Sequence, residues 1–94
     1  MNLKESVVLI TGAGSGIGAS LADHFGQKGS MLFLADRDRE AVFKTAEILK
    51  EKKITDFETF CGDVADEKQS LEMVNSALRK FSKINIVIPC AGLI

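Results

Sequence analysis

Residues 7–18 read Val7-Val8-Leu9-Ile10-Thr11-Gly12-Ala13-Gly14-Ser15-Gly16-Ile17-Gly18, and this run leaves few folds open. Four apolar residues, three of them β-branched, suit a strand buried on both faces. Four glycines on alternate positions follow, and a helical pattern then begins. A strand that turns through glycines into a helix start presents backbone N–H groups with no partner inside the helix, a ready site for a phosphate. Glycine lets the backbone come close to a pyrophosphate, because a Cβ would occupy that space. A glycine-rich turn with no ligand is the competing reading. It does not explain why folding alone would need so many conformationally costly glycines.

The rest of the chain alternates strand and helix, which implies a parallel sheet with right-handed crossovers. Strands are expected at Ser6–Thr11, Met31–Ala35, Phe57–Cys61 and Ile84–Ile88, with Pro89 ending the regular hydrogen bonding of the last. The first helix runs from about Ser15 to Lys28, with Ile17, Leu21 and Phe25 towards the sheet and Gly29 as its stop. The second spans Arg39–Lys52, with Ala41, Val42, Thr45, Ile48 and Leu49 on one face. The third begins after Asp66, an N-cap candidate with Gln69 as its capping-box partner, and carries a stripe of Leu71, Val74, Leu78 and Phe81. The fold class is thus α/β, a Rossmann-like sheet of strand order 3-2-1-4 with helices on both faces, forming part of a doubly wound domain.

Composition narrows the classes of function. Ninety-four residues allow one small core, with no second domain expected, and a 46% hydrophobic fraction argues against disorder. Net charge is −1 with acids and bases interspersed, which offers nothing to nucleic acid or to an anionic membrane. The longest aliphatic run, Val7 to Ile10, is too short to cross a bilayer or to form a signal-peptide core, so a cytoplasmic protein is expected. Cys61 and Cys90 lie on strands three positions apart in this order, roughly 14 Å at ordinary strand spacing. A disulfide needs Cα atoms within about 7 Å, so both thiols are expected to be reduced, small and buried. One histidine and no close cysteine pair give no metal site. His24 reads as a helical surface residue, and Lys50-Glu51-Lys52-Lys53 as a solvated run with cations near a helix C-terminus.

The spacing Thr11-Gly12-x-x-x-Gly16-Ile17-Gly18 differs from the common G-x-G-x-x-G and resembles the short-chain dehydrogenase/reductase family. Asp63-Val64 after the third strand is similar to that family's adenine-contacting pair, and Ala91-Gly92 to the end of its Asn-Asn-Ala-Gly motif. The resemblance covers the whole chain with its motifs in order. It departs at Pro89-Cys90, which stand where the family carries two asparagines that tie the central sheet together.

Cofactor-binding residues implied by the resemblance are Gly12, Ser15, Gly16, Ile17, Gly18, Asp36, Arg37, Asp63, Val64, Ala91 and Gly92. Gly12 would make the turn, Gly16 admit the pyrophosphate and Gly18 let the helix pack closely. Asp36 would accept from both hydroxyls of the adenosine ribose; the alternative, a helix N-cap, suits Asp38 better. A carboxylate there repels the 2′-phosphate of NADP. Ser15 supplies no base to offset it, and Arg37 could neutralise a phosphate or stack on the adenine. NAD is therefore the expected cofactor. Asp63 would accept from the adenine amino group, or only form a turn before Asp66. Ala91 and Gly92 would lie beside the ribose, or form a post-strand turn.

The family's chemistry is carried by a Tyr-x-x-x-Lys pair with a serine. This sequence has no tyrosine, so no catalytic residue is assigned to it. Residues 1–94 are expected to be the N-terminal, NAD-binding half of an oxidoreductase that interconverts an alcohol and a carbonyl. The fragment is expected to be inactive and self-associating, and the full-length protein homo-oligomeric. A non-catalytic dinucleotide-binding module would share this half. An S-adenosylmethionine methyltransferase also uses a glycine loop, yet it carries an acid where Thr11 stands and leaves Gly18 and Ala91-Gly92 without a role.

Overall fold

Strand β1, Val7–Thr11, is buried at every position, as its uninterrupted apolar run requires. In the computed structural model, which describes residues 2–91, it lies at the centre of the sheet. It is followed by α1 (Gly16–Gln27), β2 (Met31–Asp36), α2 (Arg39–Glu51), β3 (Phe57–Cys61), α3 (Glu67–Phe81) and β4 (Ile86–Pro89). The four strands are parallel in the order β3-β2-β1-β4, as expected from the sequence. Two right-handed crossovers stepping from β1 towards β3 put α1 and α2 on one face of the sheet. The third steps back across to β4 and puts α3 on the other.

Alternation along the strands feeds two cores. Val8, Ile10, Leu32 and Leu34 pack with Ala22, Val42, Leu49 and Ile54 beneath α1 and α2. Leu9, Phe33 and Ala35 pack with Met73 and Ala77 beneath α3. The first two helices end alike. The Ser30 N–H donates to the Phe25 carbonyl and the Gly29 N–H to that of Gly26; Ile54 and Lys53 do the same to Leu49 and Lys50. Both are Schellman closures with a left-handed residue, Gly29 at φ 88° and Lys53 at φ 64°.

Several expectations need correction. Ile17 is 55% exposed, because it lies in the first turn of α1 beyond the sheet edge; Leu21 and Phe25 alone of that trio pack on the core. Ile48 is exposed and Ala46 takes its place on the buried face of α2. On α3 the buried stripe is Met73 and Ala77, with Val74 and Phe81 partly covered, whereas Leu71 (62%) and Leu78 lie in solvent. The helix is rotated so that the line through Met73 and Ala77 meets the sheet, with Val74 and Phe81 at its flank. Cys61 is exposed and Cys90 buried; both are free thiols.

β4 begins two residues later than expected and includes Pro89, which sits opposite Thr11 at the end of the ladder. Asn85 extends the pairing backwards: its N–H donates to the Val7 carbonyl at 2.9 Å, and its Oδ1 accepts from the Val7 N–H at 2.8 Å. The Asp66 carboxylate caps α3 by accepting from Lys68 and Gln69. Gln69 does not return to the Asp66 N–H as a capping box requires. Its Oε1 accepts instead from the Asp63 N–H at 2.8 Å.

Candidate functional site: a cleft at the carboxyl ends of the strands

In a doubly wound sheet, ligands bind outside the carboxyl ends of the strands, where the strand order reverses. Here that point lies between β1 and β4. A cleft of about 370 Å³ opens there, lined by Gly12, Ser15, Asp36, Arg37, Gly62, Asp63, Val64, Ala65, Cys90 and Ala91. All four strand ends contribute to it. Seven residues assigned from sequence line this cleft: Gly12, Ser15, Asp36, Arg37, Asp63, Val64 and Ala91. Gly16, Ile17 and Gly18 form the first turn of α1 beside it, and Gly92 lies outside the described residues.

Gly12 stands at φ 68°, and a Cβ on it would come 2.7 Å from the Ala91 nitrogen. Only glycine permits both the turn and the closeness of the chain leaving β4. Gly18 is needed for a different contact, since a Cβ there would lie 2.2 Å from the Gly12 carbonyl oxygen. Its role is to seat α1 against the glycine loop itself. A Cβ on Gly16 would meet nothing within 4 Å. The space in front of that residue is open, as the approach of a phosphate would require.

Ser15 is the N-cap of α1. Its Oγ accepts from the Gly18 N–H at 3.0 Å and donates to the Gly12 carbonyl at 2.7 Å. The amides of Gly16 and Ile17 are left with no partner among the described residues. Two unsatisfied donors at a helix N-terminus suit an anion. Asp36 ends β2, and its two carboxylate oxygens are already oriented: Oδ2 accepts from the Gly14 N–H at 2.8 Å and Oδ1 from the Asp38 N–H at 3.0 Å. Each oxygen keeps a second lone pair for a ligand hydroxyl. Asp38, not Asp36, caps α2, by accepting from the Ala41 N–H.

Asp63 uses Oδ1 to accept from the Ala65 N–H, so the turn and the cleft wall are formed by the same residue. Its own N–H is held by Gln69. Gly62, Ala65 and Cys90 also line the cleft and were not among the assigned residues. Their neighbours in sequence carried the motif, and only the closing of the sheet brings them to the same wall. Thr45 and Gln69 were missed as well. Both act on backbone groups distant in sequence, and no spacing rule reports that.

A parallel 3-2-1-4 sheet with a glycine turn into a helix N-terminus and an acid at the end of β2 defines the dinucleotide-binding α/β class. The chain belongs to the short chain dehydrogenase family, whose pattern it matches over residues 6–94. It is 33% identical over 93 residues to an uncharacterized oxidoreductase of Staphylococcus saprophyticus, covering 99% of this chain and 40% of that one. It is also 33% identical over 93 residues to the meso-2,3-butanediol dehydrogenase of Serratia marcescens, covering 99% of this chain and 36% of that one. Among solved structures, a short-chain dehydrogenase/reductase of Burkholderia phymatum in complex with NAD superposes with a TM-score of 0.87 at 30% identity, over 93% of this chain and 31% of that one. The 3-ketoacyl-(acyl-carrier-protein) reductase of Brucella melitensis complexed with NADH superposes with a TM-score of 0.80 at 34% identity, over 90% and 34%. The chain thus spans well under half the length of these relatives. No helix among the described residues is long and apolar enough to cross a membrane.

Proposed function

We propose that residues 1–94 form the NAD-binding, adenosine-side half of a short-chain dehydrogenase/reductase, and that the whole protein interconverts a small-molecule alcohol and a carbonyl. The observation that carries this reading is the pair of free amides at Gly16 and Ile17 beside a cleft lined by the Asp36 carboxylate. The amides suit a pyrophosphate, the oriented carboxylate suits two ribose hydroxyls, and Asp63 and Val64 suit an adenine edge. The relatives solved with NAD or NADH support a nicotinamide dinucleotide. None of the relatives named above is a methyltransferase.

When bound, the nicotinamide supplies or takes the hydride. The residues of this chain hold and orient the other half of the cofactor. None of them suits proton transfer to the substrate oxygen, since the sequence has no tyrosine, so the 94-residue chain is inactive by itself in this reading. The reading also includes self-association of the chain through the apolar surface of α3 and β4, and a homo-oligomer for the full-length protein.

Calorimetric titration with NADH and NADPH tests the assignment. At an effective dielectric near 20 and about 5 Å, two unit charges interact by roughly 3 kcal/mol. After screening, a 2′-phosphate beside Asp36 should cost about 1–3 kcal/mol, or about 10- to 100-fold in affinity. Asp36→Ser should narrow the gap. Equal affinities for the two cofactors in the unaltered chain would remove the assignment of Asp36.

A further inference from the structure

Thr45 is a buried polar residue in the second turn of α2, only 3% exposed, on a helix face that is otherwise apolar. A threonine within a helix commonly donates to the carbonyl four residues back. Here that contact, to Ala41, is the longer one at 3.3 Å. The shorter bond, 2.9 Å, crosses to the carbonyl of Ala13 in the glycine loop. Ala13 is fully buried, so its carbonyl would otherwise lack both a partner and water.

The same end of α2 grips the next residue of the loop. The Gly14 N–H donates to Asp36, whose other oxygen accepts from the Asp38 N–H at the cap of α2. A Cβ on Gly14 would lie 2.4 Å from the Cβ of Ala41. The loop is thus pressed onto α2 at Gly14 and tied to it at Ala13. The free amides of Gly16 and Ile17 follow immediately.

We propose that Thr45 is a positioning residue: through the Ala13 carbonyl it fixes the Gly12–Ser15 loop in its phosphate-accepting shape, without itself touching the ligand. The loop is then set by α2 before any nucleotide arrives, while the Asp38 N–H holds the ribose acid independently of Thr45. This rests on the dinucleotide reading for its ligand, while the clamp itself is a property of the free chain.

The test compares the unaltered chain with Thr45→Val, which keeps the shape and removes the donor, and Thr45→Ser, which keeps the donor. Three probes are titrated: NAD, ADP and adenosine. Thr45→Val should weaken NAD and ADP on the order of tenfold, the cost of leaving a buried carbonyl unpaired. Adenosine, which has no phosphate to meet the loop, should change less than about twofold, and Thr45→Ser should restore both. Equal losses for all three probes, or for Ser and Val alike, would overturn the proposal.

Amide exchange supplies a readout without ligand. In Thr45→Val the Ala13 and Gly14 amides should exchange on the order of tenfold faster, with Leu9 and Ile10 unchanged. Unaltered exchange at Ala13 and Gly14 would overturn the clamp. So would a Thr45→Val chain that loses its fold, since the hydroxyl would then hold the whole domain. If the unaltered chain binds none of the probes, the dinucleotide reading fails, and the exchange result still decides the clamp.

Discussion

The two faces of the sheet differ in how far they are covered. Beneath α1 and α2 the strand residues Val8, Ile10, Leu32 and Leu34 are wholly buried, and both helices close with complete caps. Beneath α3 the core is smaller. Val87 on β4 is 59% exposed on that side, and Leu71 and Leu78 lie on the outer surface of α3. The glycine loop, one wall of the cleft, is packed against α2 on the covered face. A preorganised site needs a rigid support, and the packing of α1 and α2 supplies it. On the α3 side, by contrast, a residue of the sheet itself, Val87, stands in water, the mark of a surface that another element or another copy covers.

That difference is measurable as stability. Leu34→Ala removes a wholly buried side chain from the covered face and should cost about 2–5 kcal/mol in denaturant unfolding. Leu71→Ala should change stability by less than about 0.5 kcal/mol, because the side chain is already in solvent. It should also lower self-association in light scattering. A comparable loss for both variants would show that the α3 face is closed in solution, with Leu71 inside an interface.

The same division marks what the sequence makes legible. The order of elements, the strand sequence 3-2-1-4 and the glycine turn follow from local patterns: an apolar run, alternating elements and residues with special backbone freedom. Asp36 and Asp63 are found at strand ends because the motif fixes their distance along the chain. The α3 stripe misleads, since Leu71 and Leu78 share a helical face as good as the one that Met73 and Ala77 bury. Periodicity identifies a face without saying which face meets the sheet. Thr45, Gln69 and Asn85 are illegible for another reason. Each satisfies a backbone group 6 to 78 residues away, and such pairings exist only once the chain has folded.

Asn85 sharpens the comparison at the β4 edge. Among the described residues, β4 pairs only with β1, and Asn85 supplies both bonds that hold its start to Val7. Asn85→Ala leaves the buried Val7 N–H without an acceptor and should cost about 1–3 kcal/mol. Asn85→Asp keeps an acceptor oxygen and should cost less. Exchange at the Val7 amide should quicken in the alanine variant, while the amides of Leu32 to Leu34 in β2, paired on both edges, stay protected. If β2 amides quicken equally, the β4 edge and the interior of the sheet unfold as one unit, and the opening at Val87 is one of exposure only.

The smallest effect concerns charge on the covered face. Lys52, the C-cap of α2, donates to Asp23 on α1 at 2.6 Å, and Gln27 donates to the same carboxylate at 2.7 Å. The hydrogen bond from Lys52, then that from Gln27, holds the Asp23 carboxyl below its ordinary value. A carboxyl lowered in the folded state adds stability above its unfolded pKa and loses it as pH falls through the folded value. The pair is largely solvated, so it should contribute only about 0.2–1 kcal/mol near neutral pH. Unfolding of the unaltered chain and of Asp23→Asn should therefore differ by that amount at pH 7. The two curves should converge as the pH drops below the ordinary aspartate range. Raising the salt concentration should shrink the difference as well. A gap above about 1 kcal/mol would mean that α1 and α2 are held together by charge rather than by the packing of Ala22, Val42 and Leu49. The rigidity of the cleft would then depend on pH and ionic strength, whereas a packed face should leave it indifferent to both.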